Sequence, residues 1–256
     1  MKISIITVCF NSVDVIETAI RSVLAQSYSD IEYIIIDGGS TDGTVEIIKN
    51  FEKQFFYFVT EPDSGIYDAM NKGIALATGD VIGILNSDDF YFNPYVLNEV
   101  IEVFSKNPKT DMVLGNVDFV SPLLIETPIR FYSSNRFEPW KMRFGFMPAH
   151  PAAFIRRSTY EKVGFYSLDY KIGADFEWFI RALLVNKLEY TKLNKTLVRM
   201  REGGVSSSGF KSYWLSSKDL LRALRKHSIY SNLLIILARL IVKLIQKILY
   251  KLENNK

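Results

Sequence analysis

The sequence predicts an α/β fold, with a mostly parallel sheet covered by helices on both faces. Its first half alternates short runs rich in Ile, Val and Phe with longer segments in which apolar residues recur at helical spacing. The strand-like runs show little polar alternation, which is typical of parallel strands buried on both faces. Ligands of such sheets bind beyond the carboxyl ends of the strands, so the loops at that edge are candidates for function.

Four strands and four helices are predicted in alternation up to residue 104. The strands cover residues 3–8, 32–37, 55–60 and 80–85, and the helices cover residues 13–26, 44–51, 67–78 and 93–104. Cap residues mark three of the helix ends: Ser40 or Thr41 before the second helix, Gly79 after the third, and Asn93, followed by Pro94, before the fourth.

The alternation is weaker after residue 110. Strands are predicted at 111–120 and 150–157, and helices at 174–185 and 231–252. We therefore divide the chain into a main domain, residues 1–205, with halves at 1–110 and 111–205, and a C-terminal helical region, residues 206–256.

Composition narrows the function classes. A chain of 256 residues with a net charge of +3 gives no case for a nucleic-acid partner. The single cysteine, Cys9, forms no internal disulfide, which fits a reducing compartment, and we interpret it as a buried strand residue rather than a nucleophile. The first residues lack a signal-peptide cleavage pattern.

Two adjacent acids follow the fourth predicted strand, in the stretch NSDDF at residues 86–90. Helix capping does not explain Asp88 and Asp89, because Asn93 is the better cap. Neighbouring carboxylates repel each other and lose hydration when they are buried. A hard divalent cation offsets both costs, so the sequence predicts a metal–phosphate site here, with Mg²⁺ or Mn²⁺ held by Asp88 and Asp89.

A third acid, Asp37, ends the second strand and precedes the loop GGSTDGT. A strand–turn–helix joint explains the glycines but not an acid at the binding edge, where a carboxylate can accept hydrogen bonds from a nucleobase or ribose. The loop lacks the third glycine of GxGxxG and the GK[ST] of a P-loop, which removes the main support for a dinucleotide-binding or ATPase function.

The motifs SIITVCFN, IIIDGGSTDGT, EPDSGIYDAMNKGIALATGD and GILNSDD, in this order, resemble family 2 glycosyltransferases with the GT-A fold. The resemblance continues through HPAAFIRRSTYEKVGFYS and IGADFEWFIRA. The most similar subgroup builds bacterial O-antigen, capsular or exopolysaccharide repeat units. The resemblance implies a nucleotide-binding half at 1–110, an acceptor-binding half at 111–205, and transfer of a hexose from a UDP-sugar with inversion.

The resemblance also implies roles for individual residues. Asp37 would bind the uracil edge, Asp88 would lie nearer the ribose, and Asp89 would be the principal metal ligand. Asn86 stands where many members of the family have an acid. The other residues implied to border the nucleotide-sugar are Thr7, Phe10, Asn11, Asp63, Gly65 and Asn71. Lys72 is instead interpreted as the structural partner of Asp68, four residues earlier on the helix.

The catalytic base of the family matches Asp175, in GADFEWF, where Ala174 replaces the usual Glu. Glu177 is the rival, and only one of the two can face the site because positions 175 and 177 of a helix point in different directions. An acid favoured by the helix dipole is the structural alternative for Asp175.

The segment VRMREGGVSSSG, residues 198–209, resembles the late loop that closes over the donor. Gly203 and Gly204 would be its hinges, and Arg199 or Arg201 would meet the diphosphate; a solvated turn is the alternative. His150 would face the acceptor or would be a structural histidine.

The C-terminal helix carries a charge every four residues, at Arg239, Lys243, Lys247 and Lys251. Crossing a bilayer would bury at least two of these charges at about 2.5–3.5 kcal/mol each. We therefore expect the helix to lie in the membrane interface with this basic stripe toward anionic head groups. The alternative is packing on its own domain or on a second copy of the chain, as in a homo-oligomer.

These expectations combine into a peripheral enzyme at the cytoplasmic face of the bacterial inner membrane, with an undecaprenyl-diphosphate-type lipid-linked sugar as acceptor. Two rivals are a non-catalytic nucleotide-sugar-binding or scaffold protein and a sugar-nucleotide pyrophosphorylase. The second requires a Gly-rich basic N-terminal loop, which TVCFNSVDV does not provide.

Overall fold

Alternating strands and helices form the first half of the chain in the computed structural model, which describes residues 1–122, 124–203 and 210–254. The elements are β1 Ile3–Cys9, α1 Ile16–Leu24, β2 Ile31–Asp37, α2 Thr44–Lys49, β3 Tyr57–Thr60, α3 Ile66–Leu76, β4 Val81–Asn86, β5 Asp89–Tyr91 and α4 Val96–Lys106.

The second half is more irregular, as the weaker pattern predicted. Its strands and α-helices are β6 Met112–Val120, β7 Pro128–Tyr132, β8 Ala153–Arg156, α5 Arg157–Val163, α6 Ala174–Phe179, β9 Tyr190–Arg201, α7 Phe210–Lys226 and α8 Leu233–Asn254. A π-helical segment, Ile180–Val185, continues directly from α6.

One sheet contains these strands in the order β3-β2-β1-β4-β8-β6-β9-β5, with β7 beside β6. The pairs among β3, β2, β1 and β4 are all parallel, which confirms the predicted α/β fold. β8 is antiparallel to both β4 and β6, and β5 is antiparallel to β9, so the second half of the sheet is mixed. Strands from before and after residue 110 belong to this one sheet, so the two predicted halves share one framework.

Two apolar cores cover the two faces of the sheet. Ile3 and Ile5 pack with residues of α1 and α4 on one face, and Ile6 and Val8 pack with residues of α3, α6, α7 and α8 on the other. Gly73 allows α3 to approach β1 closely, since a Cβ there would lie 2.4 Å from Cγ2 of Ile6.

Two of the predicted helix boundaries are wrong. Helix α3 ends at Leu76, and Gly79 instead packs against β1, where an added Cβ would lie 2.7 Å from the Ser4 nitrogen. Helix α4 begins at Val96, and the Asn93 side chain accepts a hydrogen bond from the Tyr95 nitrogen in the preceding turn at 2.7 Å.

The predicted cap of α2 is also wrong. Gly43 occupies the N-cap position, and neither Ser40 nor Thr41 caps the helix. The Asp42 carboxylate accepts instead from the Thr44 nitrogen at 3.0 Å, forming a local turn that starts the helix.

Helices α7 and α8 pack against each other; α7 also contacts α6, and α8 also contacts β7. Arg239 of α8 is 6% exposed and points into this junction. Its guanidinium donates to the Ser216 hydroxyl at 3.1 Å and to the Gly145 carbonyl at 3.4 Å. Arg239 therefore does not belong to an exposed basic stripe, because its hydrogen-bond partners lie inside the protein.

The exposed face of α8 is apolar as far as the side chains are described. Leu234 is 81% exposed and Ile241 63%, and Val242 and Ile245 are also exposed. The side chains of Lys243, Lys247 and Lys251, the other predicted members of the stripe, lie outside the described residues.

In the described part of the chain, no helix combines the length and the apolar character needed to cross a bilayer.

We expect Arg239→Ala to lower the free energy of unfolding by about 2 kcal/mol. Removal of the buried guanidinium leaves its hydrogen-bond partners unpaired and creates a cavity. Arg157→Ala is the matched control, since Arg157 forms an exposed helical pair with Glu161, and we expect a change within about 0.5 kcal/mol. Urea denaturation of both variants measures the difference. Equal effects would show that Arg239 does not hold α8 to the domain.

Candidate active site

The loops after β1, β2 and β4 meet at one edge of the sheet, as the parallel strands predict. Cys9 is paired in register with Asp37, Asp37 with Thr60, and Val8 with Asn86. A hydrogen bond of 2.9 Å between the hydroxyls of Ser12 and Ser87 joins the loop after β1 to the loop after β4. The acidic loops predicted from the sequence are therefore neighbours.

The Asp37 carboxylate organises its own loop. It accepts hydrogen bonds from the Ser40 nitrogen at 3.0 Å, the Gly39 nitrogen at 3.1 Å and the Thr60 hydroxyl at 2.6 Å. Burial alone would raise its pKa, but the bonds from Ser40 and Thr60 outweigh burial and hold the pKa of Asp37 below its usual value. Its predicted contact with the uracil remains a prediction, and its observed partners are the loop residues.

Cys9 lies beside this carboxylate, with its sulfur 3.5 Å from Asp37 Oδ1. Burial and then the charge of Asp37 raise the pKa of the Cys9 thiol far above its usual value. A thiol that stays protonated is a poor nucleophile, so the structure agrees with the interpretation of Cys9 as a buried strand residue.

The three residues predicted from the end of β1 differ in position. Thr7 is fully buried, and its hydroxyl lies 3.1 Å from that of Tyr33, so its side chain is in the core rather than at the nucleotide edge. Phe10 is 61% exposed at the edge. Asn11 adopts φ +47° and accepts from the Thr41 nitrogen at 3.0 Å, which ties the first loop to the second.

The loop before α3 places Asp63 and Gly65 near the second loop. Asp63 lies over Gly38, where an added Cβ would be 2.5 Å from its Oδ2. Its Oδ1 accepts from the Gly65 nitrogen at 2.8 Å, and Gly65 has φ +116°, a conformation that favours glycine. Both residues are thus at the predicted edge.

Asn71 is directed elsewhere. Its side chain donates to the Tyr166 carbonyl and accepts from the Tyr166 nitrogen, both at 2.9 Å. The Asn71 amide therefore joins α3 to the segment before α6, and it does not border the predicted nucleotide site. Lys72 pairs with Glu61 at 2.7 Å and Asp68 at 3.8 Å, which confirms its structural interpretation.

Asp88 and Asp89 lie at the end of β4, and Asp89 starts the short strand β5 rather than continuing a loop. β5 pairs with β9, which places Asp89 opposite Met200 and leaves it 1% exposed. Burial and then the charge of Asp88 raise the pKa of Asp89 well above its usual value, and burial also raises the pKa of Asp88. The fold thus holds two acids whose charges it does not fully compensate.

Further oxygen and charge lie beside this pair. The Asn86 amide nitrogen donates to Asp89 Oδ2 at 3.2 Å, and Asn86 Oδ1 is buried without a hydrogen-bond partner. Arg201, at the end of β9, donates to the Asp88 carbonyl at 2.8 Å. Its charge opposes the rise in pKa of both acids but does not outweigh the effect of burial. No group of three or more His, Cys, Asp or Glu side chains forms a metal cluster among the described residues.

These groups fit a divalent cation. Two carboxylates with raised pKa values and an unpartnered buried amide oxygen form the oxygen-donor set that Mg²⁺ or Mn²⁺ prefers when substrate phosphates complete the coordination.

Asp175 lies in the first turn of α6. Its Oδ1 accepts from the Phe176 nitrogen at 2.8 Å and from the Tyr67 hydroxyl at 3.1 Å, whereas no described residue donates to Oδ2. Burial raises the pKa of Asp175 from 3.8 to about 6, even though both hydrogen bonds act to lower it. A carboxylate with this pKa and one free oxygen can serve as a general base near neutral pH.

Glu177, the rival acid, points in another direction. It is 1% exposed and lies 3.0 Å from Arg181, 2.8 Å from His227 and 3.6 Å from Lys226. Burial would raise its pKa, but the hydrogen bond from His227 and the charge of Arg181 lower it. The Glu177 carboxylate is thus neutralised within the fold, and the assignment of Asp175 as the base stays a prediction.

His150 is buried, and its Nε2 lies 2.8 Å from the Tyr166 hydroxyl. Burial lowers the pKa of His150 to about 4, so the ring is neutral at physiological pH. This environment is that of a structural histidine.

The late loop is described only up to Gly203, and the predicted hinge Gly204 lies outside the described residues. Of the two candidate arginines, Arg201 lies at the acidic pair, whereas Arg199 forms an ion pair of 3.1 Å with Glu126.

Tyr67 belongs to the site but was missed by the sequence reasoning. Its hydroxyl contacts Asp175, which lies 108 positions away in the chain. The only local signal was a tyrosine in the first turn of the helix that follows Gly65, and periodicity assigns such a residue to the core.

Comparison with known proteins identifies the family. The model of glycosyl transferase family 2 matches residues 4–166. The chain belongs to glycosyl transferase family 2. This match covers the strand-end loops and the acidic pair, and it confirms the family that the motifs indicated.

Relatives of this glycosyltransferase occur in mycobacteria. An uncharacterized glycosyltransferase of Mycobacterium tuberculosis H37Rv is 39% identical over 186 residues, which cover 72% of this chain and 69% of that one. A PGL/p-HBAD biosynthesis glycosyltransferase of Mycobacterium bovis BCG is 29% identical over 209 residues, which cover 80% and 79% of the two chains.

Solved structures share its GT-A fold. Residues 1–349 of S. aureus TarS in complex with UDP-GlcNAc give a TM-score of 0.66 at 18% identity, covering 86% of this chain and 67% of that one. A mannosyltransferase of Pyrobaculum calidifontis in complex with GDP-Man and Mn²⁺ gives 0.63 at 16% identity, covering 88% and 64%.

We expect opposite stability effects from neutralising the two acids of α6. At pH 7 the charged Asp175 destabilises the fold, because its pKa is raised; this cost appears as the pH rises from about 4 through 6. Asp175→Asn should therefore raise the free energy of unfolding at pH 7, by at most about 3 kcal/mol, and change it little at pH 4.

Glu177→Gln is the matched variant. Its lowered pKa means that the charge stabilises the fold above about pH 4.5 and that this stability is lost as the pH falls. At pH 7 the variant should lose about 1–3 kcal/mol. Denaturation at pH 4 and pH 7 measures both; the same sign for the two variants at pH 7 would contradict the assigned environments.

Proposed function

We propose that this enzyme transfers a hexose from a UDP-sugar to a lipid-diphosphate-linked sugar in bacterial surface polysaccharide synthesis. The observation that carries the donor half of the proposal is the pair of the half-buried Asp88 and the buried Asp89, next to Asn86, whose Oδ1 is buried and unpartnered. TarS, with the same fold, binds UDP-GlcNAc. The archaeal neighbour binds GDP-Man, so the choice of UDP rests on the motif resemblance.

Asp89 and Asp88 would hold the Mg²⁺ or Mn²⁺ ion, with Asn86 as a further oxygen donor. The ion, when bound, would neutralise the charge that develops on the departing diphosphate. Arg201 would add a second positive charge from the end of β9, since it already lies against Asp88.

Phe10, Asn11, Asp63 and Gly65 would border the nucleotide, since they lie in the loops that meet at this edge. Asp37 would act by holding the second loop in shape. We do not assign Thr7 and Asn71 a nucleotide contact, because their side chains bind Tyr33 and Tyr166.

Asp175 would act as the general base. Its free Oδ2 would take the proton of the acceptor hydroxyl as the oxygen attacks the anomeric carbon and the bond to the diphosphate breaks. Such catalysis contributes about 10²–10⁴ in rate. Attack opposite to the leaving group inverts the anomeric centre, as the motif resemblance implies.

A cavity of about 340 Å³ would admit the acceptor sugar. It is lined by residues 64–68 and by Leu168, Tyr170 and Lys171, and so lies next to Gly65 and Tyr67. A larger depression of about 680 Å³ lies at residues 106–110 and 188–191, around the first residues of β6 and β9. We assign the chemistry to the smaller cavity because it adjoins the partner of Asp175.

Helix α8 would place the enzyme on the cytoplasmic face of the inner membrane. The exposed apolar face of Leu234, Ile241, Val242 and Ile245 would enter the interface, while Arg239 anchors the helix to the domain. This orientation differs from the one expected from the sequence, in which a basic stripe including Arg239 faced the head groups.

A thermal-shift panel of UDP-glucose, UDP-galactose, UDP-GlcNAc and GDP-mannose, each with and without Mn²⁺, tests the donor site. A bound donor at a hundredfold excess over Kd adds about 2.7 kcal/mol. We expect a UDP-sugar to give the largest shift, and Asp89→Asn to remove its Mn²⁺-dependent part. If no UDP-sugar stabilises the protein with or without metal, the donor assignment is wrong.

Transfer separates the enzyme from a binding or scaffold protein. With the stabilising donor and a lipid-diphosphate-sugar acceptor, Asp175→Asn should lower UDP release about 10²-fold or more while the thermal shift with donor persists. Unchanged release in this variant would favour a non-catalytic role for Asp175. Incorporation of label from pyrophosphate into UTP, with release of a sugar 1-phosphate from the UDP-sugar, would instead indicate a pyrophosphorylase.

Vesicle sedimentation tests the membrane surface. We expect Ile241→Glu/Ile245→Glu to lower binding to anionic vesicles at least tenfold, because two charges replace apolar contacts with the acyl region. Leu124→Glu is the control, since Leu124 is 66% exposed and lies outside α8. Equal loss in the two variants, or none in either, would argue against docking through this face.

A further inference from the structure

The Tyr67 hydroxyl lies between two hydrogen-bond acceptors, which belong to Ile172 and Asp175. It is 2.5 Å from the Ile172 carbonyl and 3.1 Å from Asp175 Oδ1. A phenol has one hydrogen to donate, so it serves one acceptor at a time. The two acceptors flank the start of α6, which places this hydroxyl at the candidate base.

Tyr67 is suited to donate and not to titrate. The residue is 8% exposed, and burial and the neighbouring charge of Asp175 raise the pKa of Tyr67 well above its usual value. Its ring lies 5.9 Å from that of Tyr166, which limits where the hydroxyl can move. The hydroxyl therefore remains a donor at every pH at which Asp175 titrates.

Helix α3 holds this hydroxyl in place from two points. The helix starts directly after Gly65, beside the proposed donor loop. One turn beyond Tyr67, Asn71 is bound to both backbone groups of Tyr166. Positions 67 and 71 lie on the same helix face, so two tethers fix α3 against the segment that leads to Asp175.

We propose that Tyr67 is the positioning residue of Asp175: its hydroxyl fixes Oδ1 so that Oδ2 faces the acceptor hydroxyl, and it favours the carboxylate over the carboxylic acid. The proposal rests on the proposed role of Asp175 as the base. The Phe176 nitrogen supplies the second bond to the same oxygen, so Oδ1 is held, whereas no donor among the described residues reaches Oδ2.

The proton accounting is simple. The acceptor O–H bond breaks, its proton passes to Asp175 Oδ2, and the oxygen electrons form the new bond to the anomeric carbon as the pair of the old bond leaves with the diphosphate. The Tyr67 hydroxyl already lies 2.5 Å from the Ile172 carbonyl, so its hydrogen can bond there once Asp175 is neutral. Tyr67 itself gives up no proton.

Other groups also face Asp175 and must be kept constant in a test. Tyr67 approaches from α3, the Tyr166 hydroxyl from the segment before α6, and Arg239 from α8, whose charge acts to lower the pKa of Asp175. Asp219 of α7 binds the Ile172 nitrogen at 3.3 Å. Tyr67→Phe alters only the hydroxyl and keeps the ring.

Carbon-detected NMR titration of ¹³C-aspartate carboxyl groups in the full chain tests the proposal without any substrate, with Asp175→Asn providing the assignment. We expect Asp175 to titrate near pH 6 in the natural protein. In Tyr67→Phe its midpoint should move up by about one pH unit, because a donor to the charged form is lost. Tyr132→Phe is the control, since the Tyr132 hydroxyl also donates to a backbone carbonyl, that of Met147, at 2.5 Å.

The catalytic part is read from the pH profile of UDP release from the UDP-sugar that stabilises the protein most. Tyr67→Phe should lower kcat about tenfold at pH 7, leave KM for the donor unchanged and move the acid limb up with the NMR midpoint. Tyr132→Phe should leave the limb in place. A purely structural tyrosine would lower the melting temperature without moving either readout.

An Asp175 midpoint in Tyr67→Phe equal to that of the natural protein overturns the proposal, and so does a moved midpoint with an unmoved acid limb. If Tyr67→Phe does not fold, 3-fluorotyrosine at position 67 retains the hydroxyl as a stronger donor and should move the midpoint down. Failure of the proposed function is distinct, because Asp175→Asn would then retain full UDP release whatever the titration shows.

Discussion

The placement of two adjacent carboxylates at the end of β4, Asp89 buried and Asp88 half-buried, is the constraint on which the proposed chemistry depends. Asp89 is held inside by the pairing of β5 with β9, and Asp88 lies directly before it. Like charges in such a position are unfavourable unless a cation compensates them. Arg201 supplies part of that compensation, and the remaining deficit is what the proposed divalent ion would compensate.

The acids of the site fall into two groups according to how the fold treats their charge. Asp37 and Glu177 are surrounded by donors or cations, and their pKa values are lowered, so they stabilise the structure as carboxylates. Asp88, Asp89 and Asp175 lack sufficient partners, and their pKa values are raised. Raised values lower the stability of the free protein, and this is expected where charge is reserved for a ligand or a proton.

Helix α3 connects the loop of Asp63 with the segment that contains Asp175. Its N-terminal end follows the loop of Asp63 and Gly65, and its side chains Tyr67 and Asn71 bind the segment from Tyr166 to Asp175. Residues 67–71, the stretch YDAMN, therefore join the part of the chain before residue 110 to the part after it. Packing of Gly73 against Ile6 fixes the same helix to β1, so Asp175 is positioned relative to the central strand of the parallel sheet.

The sequence by itself determined the strand-and-helix alternation, the edge where the loops meet and the acidic pair, because apolar periodicity and motif order are local properties of a chain. Tertiary structure alone decided which side chains are free. Thr7 and Asn71 are occupied by Tyr33 and Tyr166, and Arg239 turns inward, because these partners lie 26 to 95 positions away or on another helix. Charge compensation depends on such distant neighbours, and no pattern of spacing records them.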